Sequence, residues 1–583
     1  MRMGWIAVCA LGLMAAGCLG ARSGMEPAAE FPERGELEEV AERRVEKREA
    51  QPVVVVDRWS FEPHAQAEGE TAETPDQTPW RELIDRVARA SKGRVRGSPS
   101  LHCAAEQVGR FVMEKNGLPD QRLLQFMTGR CDSTLANPQA YFFTSEIPAG
   151  VSNQQVLDQW KDGLVRDLSQ ATEGTAGGLS VGVWFGRDRE RAVFALVRGL
   201  TRTKLRPIEM DASGRVHVEG TVMLEPEPAV VYALVNQGEH GVVPCQRDHK
   251  KSLPQFAVDC ELADGDELAW IEVMARARGR LLGYRVGRVL AHRGERPVVY
   301  SAGSWAPHPV SSPKELGQAV VAELNRVRAE AGLKAVQLAT AQSGMNQKVA
   351  AQLFDAEIRG DQEVADLIAL GLLAGWDVPG TIRGGAVFAD SWRGSHDASA
   401  WLAQCLESPF GRSALLAPDV RKIALGAAVD LPVPGLGVVA TTYAFFETTD
   451  YSTEEKTILD LIRKKRSARG RSAPTVLSNQ PLAEQATLIR TEQKHPMDAL
   501  QEAMAVLGRA HQASVQGAYL MGNALEFVEL PPELLEAEPL KVAVAVTHVK
   551  VPGAAWGQYV VLFALVQPSG RTTAAAPGPV SDG

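Results

Sequence analysis

The chain has 583 residues, of which 45% are hydrophobic and 23% are charged, and its formal net charge is -9. At roughly 100 to 200 residues per domain, this length predicts several domains, each able to bury its own core. Residues 19–79 alone hold fifteen Asp or Glu against seven Lys or Arg, so the rest of the chain is nearly neutral. This balance argues against a nucleic-acid-binding protein and against a basic protein of the membrane surface.

The first residues have the pattern of a secretory signal. Arg2 precedes an uncharged apolar run that is too short to cross a bilayer as a stable helix, and Ala15-Ala16-Gly17-Cys18 follows. These four residues resemble a bacterial lipobox, although Ala15 stands where Leu is commonest. The resemblance implies a signal peptide of residues 1–17, a lipid such as palmitate on Cys18, and a chain anchored to a bacterial membrane, facing the periplasm or the outside. The alternative is an ordinary signal peptide with an incidental cysteine.

Both ends of the remaining chain have the composition of disordered segments. Residues 18–79 are rich in Glu, Ala, Pro and Arg, with a strongly apolar patch at Val53-Val54-Val55-Val56. Such a segment cannot bury enough surface to offset its chain entropy, so we predict an acidic disordered tether. Residues 568–583 are rich in Ala, Pro, Gly and Ser and predict a disordered tail.

Three segments share one order of predicted elements and indicate degenerate internal repeats: 80–203, 312–447 and 451–567. Each begins with a helix, continues with an Ala-rich helix, and ends with a further helix and a hairpin. Ser312-Pro313-Lys314-Glu315 is a capping box with Pro at the first helical position, and Gly332 ends that helix. The hairpins are apolar strand pairs joined by polar or Pro/Gly turns. They are Val181–Phe185 with Ala192–Val197, Ile423–Val429 with Val438–Phe446, and Lys541–Val546 with Gln558–Leu565.

Residues 204–305, between the first two repeats, have a different character. They contain five runs rich in Val and Leu with Gly or Pro between them: Arg215–Leu224, Ala229–Val235, Phe256–Leu262, Glu267–Ala275 and Leu281–His292. Short strands separated by turn signals over about 100 residues indicate an all-β module, and we predict an immunoglobulin-like sandwich.

Two cysteine pairs are candidates for disulfides in an oxidising compartment: Cys103 with Cys131, and Cys245 with Cys260. Cys405 is then left over. His240 and His249 lie close to the second pair in sequence and offer zinc binding as an alternative, but the spacing fits no common zinc finger.

The stretch from Trp401 to Asp419 carries the most information about family. An apolar helix with Trp401 leads into Ser408-Pro409-Phe410-Gly411-Arg412, then Ala414-Leu415-Leu416, and then two strands rich in Val and Gly. This order resembles the CAP family (cysteine-rich secretory, antigen 5 and pathogenesis-related proteins, also called SCP-like), in which Ser-Pro-x-His-Arg-x-x-Leu-Leu precedes a hairpin. Residues 312–446 carry this resemblance directly. The other two segments are linked to the family only because they share the repeated order of predicted elements.

The resemblance implies an α/β fold class, with three divergent CAP-like α-β-α sandwich domains in addition to the β-sandwich. In the family, two His and two Glu converge in a cleft and in some members hold a divalent metal. Here Gly411 stands at the motif's His, and the family's Gly-Glu-Asn falls near Gly384-Gly385-Ala386-Val387 without its Glu. We therefore predict no metal and no cofactor. Four histidines of the outer repeats show no ligand spacing: His102, His495, His511 and His548.

A Cys-His hydrolase that uses Cys405 and His396 is one alternative, because a catalytic thiolate needs a neighbouring base. The two residues are nine positions apart around one helix and would not readily face each other. We favour a buried small residue for Cys405 and a helix-start residue for His396. The chain has no P-loop and no strand-led Gly-x-Gly-x-x-Gly.

The function predicted from these observations is that of a lipid-anchored envelope protein whose degenerate CAP-like domains are non-catalytic binding or scaffolding modules. The partner would be a hydrophobic ligand, a cell-wall component or a protein, and not a nucleic acid. A ligand groove is predicted at Trp392, His396, Trp401 and Arg412, with core packing of the two Trp rings as the alternative. The competing function is an envelope hydrolase with an unrecognised active site.

Overall fold

The computed structural model describes most of the chain after residue 30. The described residues are 31–45, 51–61 and 77–567, except for short gaps in the last range. These gaps are 92, 148–149, 171–177, 188–190, 207, 212, 239–240, 249, 264–266, 279–281, 304, 393–395, 430–434, 448–449, 523–524, 526–529 and 551–554. The predicted signal peptide, Cys18 and the predicted tail of residues 568–583 lie outside the described residues.

The described chain forms two compact units, of residues 31–379 with 385–444 and of residues 380–384 with 445–567. The first unit begins with α1 (Arg34–Ala41), β1 (Val53–Val54) and β2 (Arg58–Ser60). The first repeat follows as α2 (Thr78–Ala90), β3 (Val95–Gly97), α3 (Pro99–Lys115), β4 (Leu118–Pro119), α4 (Gln121–Arg130), β5 (Gln139–Glu146), α5 (Asn153–Gln170), β6 (Gly178–Arg187) and β7 (Arg191–Thr201).

The sandwich module follows in the same unit. Its strands are β8 (Thr203–Leu205), β9 (Glu209–Met210), β10 (Arg215–Val222), β11 (Pro228–Asn236), β12 (Val242–Pro244), β13 (Gln246–Arg247), β14 (Gln255–Glu261), β15 (Leu268–Ala277) and β16 (Gly283–His292), and β17 (Val299–Ser301) comes after them. One sheet has the order β13-β14-β10-β8 with β9 beside β10, and the other has the order β12-β11-β15-β16. Alternate residues of both sheets form one shared core.

The second repeat completes the first unit, and the third repeat forms the second unit. The second repeat consists of α6 (Pro313–Glu330), β18 (Gln337–Leu338), α7 (Thr340–Arg359), α8 (Gln362–Ala374), β19 (Ile382–Trp392), α9 (Ala398–Glu407), α10 (Pro409–Leu415), β20 (Val420–Val429) and β21 (Leu436–Phe445). The third consists of α11 (Ser452–Ser467), β22 (Thr475–Val476), α12 (Gln480–Arg490), α13 (Pro496–His511), β23 (Ser514–Gly522), α14 (Pro532–Glu536), β24 (Lys541–Val549) and β25 (Gln558–Gln567).

The three repeats share one sheet topology. The strand orders are β3-β6-β7-β5, β18-β20-β21-β19 and β22-β24-β25-β23. In each sheet the short first strand runs parallel to the first hairpin strand, and the two hairpin strands are antiparallel. The described structure therefore mixes helices with several small sheets, which is an α/β fold class.

Helices cover both faces of each of these sheets because the hairpin strands are apolar on both faces. In β24, Val542, Val544 and Val546 face a core built with α11 and α14. Ala543 and Ala545 face a second core, built with α12 and α13. Successive side chains of a strand point to opposite faces, so one strand contributes to two cores.

Part of the predicted tether is folded, and the prediction of disorder through residues 18–79 is wrong for two segments. Leu37 and Val40 of α1 are buried against α7 and α8, and the Gln352 side chain donates to the Ala41 carbonyl at 2.9 Å. β1 pairs with β4 and β2 pairs with β17. These residues are too few to form a core of their own, but they complete cores that belong to the repeats.

Both predicted disulfides are present. The Cα atoms of Cys103 and Cys131 are 5.8 Å apart, and those of Cys245 and Cys260 are 4.4 Å apart. Cys405 is free and buried. Within the described residues, no helix combines the length and apolar character needed to cross a membrane.

Candidate functional site

A buried carboxylate lies where the sandwich meets the second repeat. Glu272 of β15 is fully buried. The Ser408 hydroxyl lies 3.0 and 2.9 Å from its two carboxylate oxygens, and the Phe410 backbone N–H donates to one of them at 2.9 Å. The same carboxylate accepts from Arg285 Nη1 at 3.0 Å, and Arg288 Nε lies 3.7 Å away. We call Glu272, Arg285, Arg288 and Ser408 the junction.

The electrostatics of the junction keep Glu272 charged. Burial by itself raises the pKa of this carboxyl group. The positive charges of Arg285 and Arg288 and the Phe410 N–H outweigh burial, so the net pKa of Glu272 is lowered from its usual value. The carboxylate is thus matched by cations and hydrogen-bond donors from two modules, as a buried charge must be if it is not to destabilise the fold.

The local sequence explains why α10 presents these donors. Ser408 is the N-cap of α10, and its Oγ accepts from the Gly411 N–H at 3.1 Å. Pro409 occupies the first helical position, where its fixed φ favours the helix. A Cβ atom on Gly411 would lie 2.4 Å from the Cys405 carbonyl oxygen. The position that carries His in the CAP motif therefore has no room here for any side chain.

The first repeat also contacts this region. Arg288 Nη1 donates to the Gln125 side chain of α4 at 2.5 Å, and the Arg288 guanidinium lies 4.1 Å from the centre of the Trp270 ring. Arg122 of α4 forms an ion pair with Glu407 at the end of α9. Two repeats and the sandwich therefore meet through charged side chains within the first unit.

A cavity of about 630 Å³ lies beside the junction, between the same three modules. Its charged lining residues come from all three: Arg198, Arg202, Arg285, Glu357, Asp366 and Asp390. Tyr141 of the first repeat and Tyr284 of the sandwich add rings to its wall. The exposed residues Arg359 and Asp361 also line the cavity, so it opens to solvent at the turn between α7 and α8.

Two arginines of the cavity, Arg198 and Arg202, have uncharged partners. Arg202 donates to the Gln362 side-chain oxygen at 3.3 Å and lies 5.6 Å from the centre of the Tyr284 ring. Burial lowers the pKa of Arg202. Arg198 donates to the Tyr141 hydroxyl at 3.0 Å and lies 4.8 Å from the centre of that ring. Neither guanidinium has a carboxylate within ion-pair distance among the described residues.

The acidic side chains of the cavity differ in their hydrogen bonds. Asp390 accepts from Gln404 at 2.6 Å and from the Ser391 N–H at 3.0 Å. Burial raises the pKa of Asp390, and Arg285 and Arg288 only partly offset the effect. Glu357 faces the cavity, and its carboxylate has no hydrogen bond or ion pair to any other described residue.

Glu357 is exposed at the cavity surface. Its carboxylate is therefore hydrated, and the positive charges of Arg202 and Arg285 favour its charged form.

The four residues of the predicted ligand groove do not form one groove. Trp392 and Trp401 are 2% and 0% exposed and belong to the core of the second repeat, so this pair lines no open groove. The Trp401 ring N–H donates to the Asp390 carbonyl at 3.2 Å. His396 lies just before Asp397, the N-cap of α9, and Arg412 donates to the Leu406 carbonyl at 3.5 Å. For the two Trp residues, core packing is the correct alternative.

His102 has a structural contact that recurs in the other repeats. Its Nδ1 lies 3.0 Å from both the N–H and the carbonyl of Val183 on the hairpin. In the second repeat, Ser343 Oγ accepts from the Leu425 N–H at 3.1 Å. In the third, the Asn479 side chain donates to the Val544 carbonyl at 3.2 Å. Each side chain lies near the start of the second long helix and ties it to the hairpin. Among the described residues, no three His, Cys, Asp or Glu side chains are grouped to hold a metal ion.

The sequence did not indicate the junction or the cavity. One signal was present: Glu272 is a single charge within the apolar run Trp270 to Ala275. β15 is buried on both faces, whereas one sheet of an isolated sandwich would leave its outer face in water. A charge in such a strand therefore indicates a partner outside the sandwich.

Comparisons with known proteins show only a distant likeness. No family model and no curated protein matches the chain. A crystal structure of a cysteine-rich secretory protein from Staphylococcus aureus subsp. aureus Mu50 is 12% identical with a TM-score of 0.17, over 45% of this chain and 83% of that chain. An extracellular protein with an SCP domain from Bacillus anthracis str. Ames is 11% identical with a TM-score of 0.16, over 51% and 93%. Values this low show no family.

Proposed function

We propose that this chain is a lipid-anchored cell-envelope protein whose three CAP-like domains and immunoglobulin-like sandwich are non-catalytic binding or scaffolding modules. The observation that carries this proposal is the use of the Ser408-Pro409-Phe410-Gly411 segment. Where the CAP motif has a cleft histidine, this chain has Gly411 packed on a backbone carbonyl, and the start of the helix binds Glu272 of the sandwich. A segment whose donors are engaged in joining two modules is suited to assembly rather than to turnover.

The topology supports the domain assignments within this proposal. Each repeat has helices on both faces of a small sheet, as the CAP resemblance implies. If the strands of the sandwich other than the two-residue β9 are named in chain order, they follow the order D-E-B-A in one sheet and C′-C-F-G in the other, which is an immunoglobulin-like arrangement.

The anchor rests on Ala15-Ala16-Gly17-Cys18, and the two disulfides favour an oxidising envelope compartment. The test is expression of the full chain in bacteria fed a palmitate analogue that can be detected by a coupled dye. We expect label on the wild-type chain and none on Cys18→Ser. Equal labelling of both chains would contradict the anchor, and Cys9→Ser is the matched control that should keep its label.

The hydrolase alternative is tested separately. Cys405 is 1% exposed, and burial raises the pKa of its thiol well above its usual value, so the nucleophilic thiolate is disfavoured. We expect purified full-length chain to leave cell-wall fragments and peptides uncleaved when products are followed by mass spectrometry. Turnover that is lost in His396→Ala or Cys405→Ala while the circular dichroism spectrum is unchanged would establish the hydrolase instead.

A further inference from the structure

We propose that the third repeat joins this chain to a second copy of itself, through antiparallel pairing of β23 with β23 of the other copy. The pairing extends the four-stranded sheet of the repeat across a two-fold axis. This inference goes beyond the proposed function, because it requires neither a lipid anchor nor the absence of catalysis. It concerns the second unit alone.

The strand β23 is an exposed edge without the features that usually protect one. Within the described residues it is the end strand of its sheet, and all nine of its residues are exposed or half-buried. Backbone N–H and C=O groups along such an edge can pair with a further strand. The sequence Ser514–Gly522 contains no charged residue and no proline, and these are common means of preventing that pairing. The edge is therefore suited to a strand from outside the repeat.

The end strands of the other two repeats are covered by their own chain. In the first repeat, the Gln51 side-chain amide donates to the Phe142 carbonyl of β5 at 2.6 Å and accepts from the Phe142 N–H at 3.1 Å. In the second repeat, the Gln404 side chain of α9 donates to the Ser391 carbonyl of β19 at 3.0 Å. In the third repeat, the next described helix after β23 is α14, which packs on the face of the sheet opposite α13. The edge of β23 is therefore more open than those of its two counterparts.

An uncharged stripe of α13 runs beside the exposed strand. A Cβ atom on Gly517 would lie 2.5 Å from Met504 Sδ, so this side of α13 faces β23. The residues of the stripe follow one another at spacings of three and four positions: Met497, Gln501, Met504 and Gly508. Met497 is 44% exposed, and Met521 at the end of β23 is 38% exposed. Exposed apolar side chains beside an open strand edge form a surface that a protein partner can bury.

The arrangement of these elements favours a second copy as the partner. Ala518 is the middle residue of β23, and its neighbour Gly517 lies beside Met504, near the middle of α13. A two-fold axis at Ala518 therefore relates the middle of the strand and the middle of the helix to their copies. Antiparallel copies of α13 then place the exposed Asp498 of each chain near the exposed Arg509 of the other. Opposite charges thus meet at both ends of the contact.

The spacing of the helices fits the same pairing. α13 packs over both β23 and β25, and neighbouring strands lie about 4.8 Å apart, so pairing brings the two copies of α13 to about 10 Å. Packed helices are separated by about 8 to 10 Å. The strand at the other end of the sheet, β22, has only two residues, and very short end strands resist further pairing. The assembly therefore closes at two copies.

The test is oxidative cross-linking of the purified full-length chain with copper phenanthroline, followed by mass on a non-reducing gel. Ala518 lies beside its own copy at the two-fold axis, so Ala518→Cys should form a disulfide-linked dimer. Ser514→Cys, on the same strand, is the matched control. At about 3.4 Å per residue, the two copies of Ser514 would lie about 27 Å apart and should cross-link about tenfold less.

A charged variant tests whether the strand edge carries the contact. Met521→Lys places a charge on the edge and should remove the cross-link of Ala518→Cys. Val476→Lys is its control, because Val476 is also exposed but lies on β22 at the other end of the sheet, and it should leave the cross-link unchanged. Equal melting temperatures of the two lysine variants show that a lost cross-link does not reflect misfolding.

The outcomes decide between a second copy and other occupants of the edge. A dimer of Ala518→Cys that is absent from Ser514→Cys and is lost with Met521→Lys supports the inference. Equal cross-linking of the two cysteine variants, no cross-linking of either, or a cross-link that persists with Met521→Lys would overturn it. An adduct whose mass includes a co-purified protein would show that the edge binds a different partner, and would also overturn it. None of these outcomes bears on the proposed function, which palmitate labelling and product analysis test separately.

Discussion

Ser408 and Glu272 meet across the boundary between the second repeat and the sandwich, with the serine Oγ 3.0 and 2.9 Å from the two carboxylate oxygens. Both residues are buried, and they are 136 positions apart in sequence. The serine that caps a short helix thus also satisfies a charge in another module. It is one of several polar contacts between the two modules, since the Asn236 side chain of the sandwich also donates to the Leu406 carbonyl at 3.0 Å.

Removal of that carboxylate should be strongly destabilising. We expect Glu272→Ala to lower the free energy of unfolding by about 3 to 5 kcal/mol, because the buried Arg288 and the half-buried Arg285 lose their counter-charge. Urea denaturation followed by circular dichroism measures the loss. Glu261→Ala is the control, since Glu261 is exposed at the end of β14, and it should change stability by no more than about 0.5 kcal/mol. A similar small effect of both changes would show that the junction is not a stabilising contact.

Gly411 should not tolerate a side chain. We expect Gly411→Ala to cost about 1 to 3 kcal/mol, because the new methyl group would lie 2.4 Å from the Cys405 carbonyl oxygen. Gly344 in α7 has nothing within 4 Å of its Cβ position, so Gly344→Ala should stabilise the chain by about 0.5 to 1 kcal/mol through helix propensity. Opposite shifts in the urea midpoint are expected, and shifts of the same sign would contradict the account of why the motif histidine is absent.

Stability should depend on pH through Asp120. This residue is 1% exposed, and burial raises its pKa from 3.8 to about 6, so the folded state holds this proton more tightly than the unfolded state. The associated stability is fully present below pH 3.8 and is lost as pH rises to about 6. Melting temperatures measured over this range should fall less steeply for Asp120→Asn than for the wild type.

The control for this prediction is Glu330→Gln, on the exposed end of α6, and its melting temperature should fall as steeply as that of the wild type. Identical slopes for the wild type and Asp120→Asn would contradict a raised pKa of the Asp120 carboxyl group.

Cys405 should be chemically inert in the folded protein. Its side chain is buried and burial raises the pKa of the thiol, so little thiolate is present at neutral pH and reagents cannot reach it. We expect peptide mass spectrometry to show no iodoacetamide adduct on Cys405 in native buffer and full alkylation in urea. Rapid alkylation of the native chain would reopen its role as a nucleophile.

Helix α1 should depend on its two buried residues. Leu37→Ala removes a side chain that is 0% exposed and packs on Gly371 of α8, and we expect a loss of about 2 to 3 kcal/mol of local stability. Hydrogen exchange of residues 34–41 should accelerate, while the repeats keep their protection. Glu39→Ala on the exposed face of α1 should leave exchange unchanged. If Leu37→Ala has no effect, the helix is not held by this contact.

Several elements were predictable because their signals are local. The hairpin strands Ile423–Val429 and Val438–Phe446 are observed as Val420–Val429 and Leu436–Phe445, because apolar runs between turn residues determine strands over short distances. The start of α6 at Pro313 followed from Ser312 and its capping box, and Ser312 Oγ accepts from the Glu315 N–H at 3.2 Å. The disulfide pairs followed from the count and spacing of cysteines in a chain predicted to enter an oxidising compartment.

The folded state of residues 33–45 and 51–61 was not predictable from their own composition. Leu37 and Val40 are too few to form a core, and they are buried only because α7 and α8 provide the other side. The positions of the Trp392 and Trp401 rings were also not predictable from local sequence. Each ring was predicted to line a groove, but the packing of the second repeat buries both in its core.

The sequence by itself therefore determined the strands, helices, caps and disulfides, since these depend on neighbours a few residues apart or on a small number of cysteines. Only the tertiary structure decided where the charges of β15 and β16 and the arginine that follows β7 lie. Glu272 contacts Ser408, and Arg202 and Arg285 line one cavity, because modules far apart in the chain pack together. The physical reason is that a buried charge is tolerated only with partners, and its partners are chosen by the packing of whole modules rather than by the residues beside it.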